Sequence, residues 1–302
     1  MKNRYLFLTL LVFTVGITAQ EKPQDSTRVH QLDEVLVKAV RVDATSPITH
    51  TNVSKAEIEK RNLGQDIPVL LNYLPSVVTT TDAGAGVGYT GIRIRGINAQ
   101  STNITINGIP YNDAESLGTF WVNLGDFASS VESLQLQRGV GTSTNGSGAF
   151  GASINVLTDA ISEKANGEIS NSFGSYNTRK HNLKFSTGKL NNHFEIAGRL
   201  SQIKSDGYID RATANLKSYF LQASYKDKNT LIKAVSFGGA ERTYQSWYGL
   251  DPQQLKEDRR QNPYTYENEV DDYKQNHYQL HWNEQLNSHW STNLGLNYTK
   301  GA

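Results

Sequence analysis

The chain has 302 residues, with Lys+Arg 30 against Asp+Glu 29, a balance that offers no strong basic field for nucleic acid. At 37% hydrophobic and 10% aromatic, with 25 Gly and 15 Tyr, it is too aromatic for a disordered polymer and too polar for a bundle of membrane helices. It has no Cys, which excludes disulfides, thiolate metal sites, a Cys nucleophile and an acylated N-terminal Cys.

Residues 1–19 read as a secretory signal: Lys2 and Arg4 precede an apolar run over residues 6–17, and Ala19 suits cleavage. Beyond them no apolar run approaches the ~20 residues of a spanning helix, so any membrane span has to be a β-barrel. Residues 20–47 form a polar linker that holds one short β-prone run, Leu32, Asp33, Glu34, Val35, Leu36 and Val37.

Residues 48–158 are mixed and Gly-rich. Ser54 and Glu57 form an S-x-x-E cap for a helix through Ile58, and Asp66 precedes a second short helix expected over 69–73 and stopped by Pro75. Short strands are expected over 92–95, 103–106 and 133–137, separated by Gly or Asn turns. The stretch Gly86-Val87-Gly88-Tyr89-Thr90-Gly91 fits G-x-G-x-x-G, but an alternating strand follows it where a nucleotide site needs a helix. Ser147 lacks the G-x-S-x-G frame, so nothing in the segment argues for an enzyme.

From Gly167 onward the hydrophobic period becomes two. Phe194, Ile196 and Leu200 share one face while Glu195, Arg199 and Ser201 share the other, and about seven such segments follow one another, on the order of 9 to 13 residues each. A soluble half-buried sheet alternates too, so alternation alone leaves a secreted β-rich binding or adhesion protein open. Two details favour a membrane wall. Tyr219 with Tyr225, and Trp290 with Tyr298, stand at opposite ends of apolar faces, the second pair ~26 Å apart at ~3.3 Å per residue. Connections also alternate between tight and long, the longest spanning 242–272. His277 and His281 lie opposite Tyr278, Leu280 and Trp282, which makes them polar wall residues facing a lumen before it makes them metal ligands.

At this point the residues carry a resemblance. Ile92-Arg93-Ile94-Arg95-Gly96, Ile106-Asn107-Gly108-Ile109-Pro110, the run from Val131 through Arg138 to Gly139, and Gly146-Ser147-Gly148-Ala149-Phe150-Gly151-Ala152-Ser153-Ile154-Asn155-Val156 resemble, in that order, the plug of TonB-dependent outer-membrane receptors. The resemblance implies an α+β plug domain over 48–158. It also implies antiparallel transmembrane β-barrel strands over 159–302, the first part of a wall that has 22 strands in the full family barrel. Residues 32–37 would be the TonB box, which adds as a strand to TonB. The partners implied are TonB with its inner-membrane energising complex, outer-membrane lipid and a small ligand, with no cofactor and no catalysis.

Arg93, Arg95, Glu132 and Arg138 are expected to dock the plug on the wall. Ligand contact is expected from Tyr89, Thr90, Asn98, Gln100, Tyr111, Asn112 and Asp113 in plug loops, and from Arg242, Tyr244, Trp247 and Tyr248 in the long loop. About a dozen residues separate signal and box, too few for the extra domains of glycan importers or signalling receptors. A ferric siderophore is therefore the first ligand expected, with cobalamin, haem or a carbohydrate as alternatives.

Overall fold

The computed structural model describes residues 41–42, 45–141 and 150–302. The signal, the Leu32 to Val37 run and the Gly146 to Ala149 part of the last plug motif lie outside the described residues.

The chain enters the plug through strand β1 (His50–Ser54), which runs straight into helix α1 (Lys55–Arg61). Ser54 ends the strand and starts the helix, because Glu57 reaches back to its backbone N–H at 2.8 Å. Helix α2 is the single turn Ile67–Leu70, two residues earlier than the apolar pattern suggested. Asp66 stands at its N-cap position without a side-chain bond to the helix, and Pro68 occupies its first turn, where a missing N–H costs nothing, so the proline marks a start that the apolar pattern does not register. Strands β2 (Val77–Thr81) and β3 (Thr90–Ile94) form a separate antiparallel pair.

The main plug sheet adds β4 (Thr102–Ile106), β5 (Ile109–Pro110), β6 (Val131–Arg138) and β7 (Ala152–Thr158), in the order β1-β6-β7-β4-β5. Among the described residues only β4 and β7 pair in parallel. Buried Ile104, Ile106, Leu134, Leu136, Ile154 and Val156 make this sheet the centre of the core.

Seven strands follow as an antiparallel meander in strict sequence order: β8 (Lys164–Phe173), β9 (Arg179–Gly188), β10 (Phe194–Ser205), β11 (Ala214–Lys226), β12 (Thr230–Tyr244), β13 (Val270–Gln285) and β14 (Ser291–Gly301). Their ends divide into a short-turn rim, at 189–193, 227–229 and 286–290, and a long-loop rim that carries 206–213 and 245–269. The one helix of the long loop is α3 (Pro252–Glu257).

Alternation sorts the wall as a sheet period demands. Phe220, Gln222 and Ser224 are buried against the plug while Leu221 is 46% exposed on the other face. His277, Gln279, His281 and Asn283 are buried on the plug side, and Tyr278, Leu280 and Trp282 are exposed on the opposite side. Wall and plug share one core: Phe127 of the plug meets Phe237 at 5.1 Å and Phe220 at 6.4 Å between ring centroids. No helix among the described residues is long and apolar enough to cross a membrane.

Candidate functional site

Two places where plug meets wall carry chemistry: a buried ionic contact and an open cleft. The ionic contact centres on Asp126, whose backbone is left-handed at φ +50°, a conformation that Asp tolerates better than most residues. One carboxylate oxygen takes Lys180 Nζ at 2.7 Å, and the other takes Asn182 Nδ2 at 2.6 Å and Ser201 Oγ at 2.7 Å, with Arg199 Nη1 at 3.5 Å. Burial alone would push the Asp126 carboxyl up, but Arg199 and Lys180 outweigh it and hold the group below its usual range. Asp159, just past β7, repeats the arrangement with Lys184 at 2.7 Å and Lys55 at 2.9 Å. Those two cations likewise overcome burial and keep Asp159 ionised.

Across the plug–wall contact the acids, Asp126 and Asp159, are on the plug and the bases, Lys180, Lys184 and Arg199, on the wall, while Lys55 pairs with Asp159 from within the plug. The arginines expected to dock sit elsewhere among the described residues. Arg138 is buried inside the plug, donating to the Pro75 carbonyl at 3.1 Å and to Thr51 Oγ1 at 2.9 Å. Arg93 and Arg95 are exposed on and just past β3, and Glu132 takes Lys55 at 3.3 Å within the plug. The internal role of Arg138 follows from its place at the end of β6, where its strand pairs with β1 and β7 and its side chain reaches back over Thr51.

The cleft, of about 350 Å³, opens near the long-loop rim. The plug side supplies Tyr89, Tyr111, Asp113, Phe120 and Asn123, and the wall side supplies Glu241, Asp271, Asp272, Tyr273 and Gln275. Tyr89 bridges the two, its hydroxyl donating to Glu241 Oε1 at 3.3 Å while its ring meets Trp247 edge-on at 5.4 Å. Tyr111 does the same lower down, donating to Gln275 Oε1 at 3.4 Å and tilting on His277 at 5.0 Å. Burial raises both phenols, and Glu241 adds to the effect at Tyr89, so each stays a protonated donor. Asp113 is held low by the backbone N–H of Ser116, with Glu115 assisting, and stays charged.

Of the expected ligand residues, the structure brings Tyr89, Tyr111 and Asp113 to this cleft and sets Trp247 against Tyr89. The others have different neighbours. Thr90 donates to the buried Asp66 at 3.0 Å. Asn98 caps a short turn by accepting from the Ser101 N–H, and exposed Gln100 lies toward Gly118. Asn112 holds β4 to the 112–117 turn by accepting from Ile104 N at 2.7 Å and donating to the Leu117 carbonyl at 2.9 Å. Arg242 pairs with Asp272 at 3.0 Å, Tyr244 is buried with its hydroxyl on the Tyr266 carbonyl, and Tyr248 stacks on Tyr264 at 5.1 Å. Sequence reasoning missed Glu241, Asp271 and Gln275, which the strand period could have found: they are inward positions at the long-loop ends of β12 and β13. No group of three or more His, Asp or Glu among the described residues is arranged to hold a metal ion.

The architecture is a small mixed α/β domain seated on a seven-stranded antiparallel wall and sharing a cleft with it. The sequence profile of the TonB-dependent Receptor Plug Domain matches residues 42–153. The ferrienterobactin receptor of Escherichia coli (strain K12) is 25% identical over 229 residues, 70% of this chain and 30% of that receptor. The vitamin B12 transporter BtuB of Vibrio vulnificus (strain YJ016) is 28% identical over 180 residues, 58% of this chain and 28% of the transporter. In fold, the chain is similar to the unliganded ferric citrate transporter FecA, with TM-score 0.65 and 19% identity over 84% of this chain and 40% of that one. It is also similar to the ferric-catecholate import receptor Fiu from E. coli K12, with TM-score 0.68 and 14% identity over 85% of this chain and 39% of that one. Residues 42–153 thus carry the plug domain of TonB-dependent receptors, and the antiparallel sheet that follows matches part of such receptors in fold. The chain spans less than a third of the length of these two curated relatives.

Proposed function

We propose that this chain is part of an outer-membrane receptor that imports a scarce ligand, a ferric siderophore in the first instance, using work delivered by TonB to the box at Leu32 to Val37. The observation that carries the reading is the shared cleft: Tyr89 and Tyr111 come from the plug, Glu241 and Tyr273 from the wall. A ligand seated there touches both bodies, so moving the plug dismantles its seat and opens a way past the wall. Asp126 and Asp159 seat the plug on the wall through charged contacts beside the shared apolar core at Phe127, Phe220 and Phe237.

The lining refines the cargo. Its charged residues without a basic partner in the cleft are Asp113, Glu241 and Asp271, with aromatic rings beside them, while Asp272 at the edge is paired with Arg242 on the outer face. That surface suits a ferric chelate that is neutral or carries a cationic group, which aromatic faces and carboxylates both attract, over a polyanionic one. The relative named as a vitamin B12 transporter supports cobalamin as the second reading. Growth of a deletion strain on single ferric chelates tests the proposal. Loss of growth on one neutral or cationic chelate, restored by the gene, supports iron uptake. Normal growth on every ferric chelate, with a defect confined to cobalamin, haem or a polysaccharide, moves the cargo to that ligand.

A further inference from the structure

One acid of the plug plays no part in seating it. Asp66, at the start of α2, is 3% exposed and has no basic partner among the described residues. Its Oδ2 accepts from Thr90 Oγ1 at 3.0 Å, while its Oδ1 is buried without a hydrogen-bond partner. The charge that acts on it is another carboxylate, Glu241 of β12, itself 4% exposed on the wall side of the seam. Glu241 accepts from Tyr89 at 3.3 Å and from Thr243 at 2.8 Å, and it faces Asp271 and Asp272 of β13. Asp271 Oδ2 is buried without a partner too. The neighbouring Arg242 brings no relief, since it is turned to the outer face on Asp272.

Carboxylates that face one another out of water and without a counter-charge do not all ionise; they hold a proton among them. Burial places that proton on Asp66, the group behind the cleft, whereas Glu241 lines the cleft itself. Tyr89 donates a neutral hydrogen bond and leaves the charge uncompensated. A cation entering the cleft beside Glu241 supplies the missing counter-charge, and the proton is then no longer needed.

We propose that the cleft takes a ferric chelate bearing a primary ammonium group, and that this ammonium replaces a proton held between Asp66 and Glu241 across the seam. The ammonium pairs with the carboxylates and one proton leaves to solvent, so the occupied receptor carries the same net charge as the free one. The inference rests on the reading of this chain as part of a ferric-chelate receptor, and it narrows the cargo from neutral or cationic to cationic. By linkage, a ligand whose binding expels one proton binds more tightly as pH rises, by up to about tenfold per pH unit.

The receptor expressed from its full reading frame and purified in detergent is titrated with two ferric trihydroxamates: ferrioxamine B, which carries a terminal ammonium, and ferrioxamine E, its neutral cyclic counterpart. Affinity is read from pH 6 to pH 9 by quenching of tryptophan fluorescence, and proton release by calorimetry in buffers of different ionisation heat. Binding of ferrioxamine B should tighten about fivefold or more over that range with release of a proton, while that of ferrioxamine E changes less than about twofold. Asp66→Asn has no proton to give up and should bind ferrioxamine B with an affinity that no longer follows pH. A wild-type affinity for ferrioxamine B that ignores pH would overturn the proposal. So would equal pH dependence for the two chelates, or a folded Asp66→Asn variant that keeps the wild-type slope. Binding of neither chelate would overturn it as well: uptake of a different ferric chelate would then leave the siderophore reading standing, and uptake of cobalamin alone would remove both. Should Asp66→Asn fail to fold, the comparison of the two chelates on the wild type decides the matter alone.

Discussion

Lys180 of the wall closes on Asp126 of the plug at 2.7 Å, with the two side chains 4% and 0% exposed. A contact so dry is held by mutual neutralisation, and removing one partner strands the other in a medium that cannot solvate it.

Asp126→Ala should therefore destabilise plug docking by ~3–5 kcal/mol, since it leaves Lys180 and Arg199 buried without their counter-charge. Limited proteolysis of the detergent-solubilised receptor would report this as a plug cleaved well before the wall. Arg93→Ala, on an exposed side chain, should leave the cleavage rate near wild type.

Acid should loosen the same contact. Asp126 and Asp159 have folded values held below the ordinary 3.8, so their contribution is present above that pH and is lost as pH falls through the lowered values. Asp66 runs the opposite way. Burial, with Glu241 adding to it, raises its value, so its contribution is present when it is protonated and is lost as pH rises through the raised value. Asp66→Asn should accordingly raise the melting temperature at neutral pH and flatten the loss on the alkaline side, while the acid limb stays unchanged. Melting curves of both proteins from acid to alkaline pH check the two limbs separately.

Much of this fold could be read from the sequence because its two periods are local. A two-residue alternation sets each wall strand and its inward face, and the Ser54–Glu57 cap fixes α1 within a single turn. The start of α2 was misjudged because the apolar run overshadowed Pro68. The docking charges were out of reach for another reason: Asp126 lies dozens of residues before Lys180 and Arg199 and meets them only once plug and wall are packed. In the cleft, aromatic turn residues pointed to Tyr89 and Tyr111, but Arg242 drew attention away from the carboxylates. Arg242 faces outward to Asp272, while Arg211 of the 206–213 loop donates to the Tyr264 carbonyl at 2.8 Å and Arg260 reaches Asp210 at 3.4 Å.

Those arginine contacts give a discriminating prediction for ligand binding. Tyr89→Ala removes a cleft wall, the Glu241 hydrogen bond and the Trp247 contact together, and should weaken binding of the transported ligand roughly tenfold or more. Arg242→Ala should change affinity less than about threefold, because its guanidinium is turned to Asp272 on the outer face, a surface ion pair. Titration of both variants, followed by quenching of tryptophan fluorescence, separates the two effects.

Under the proposed function, work applied to the run at residues 32–37 drives ligand past a plug seated on Asp126 and Asp159. Val35→Pro removes a backbone donor from that run and blocks its addition as a strand to a partner sheet. Radiolabelled ligand should still bind to intact cells carrying the variant at wild-type affinity, while its energy-dependent accumulation falls to the level of the deletion strain. Accumulation at the wild-type rate, or binding and accumulation lost in equal measure, would contradict the account.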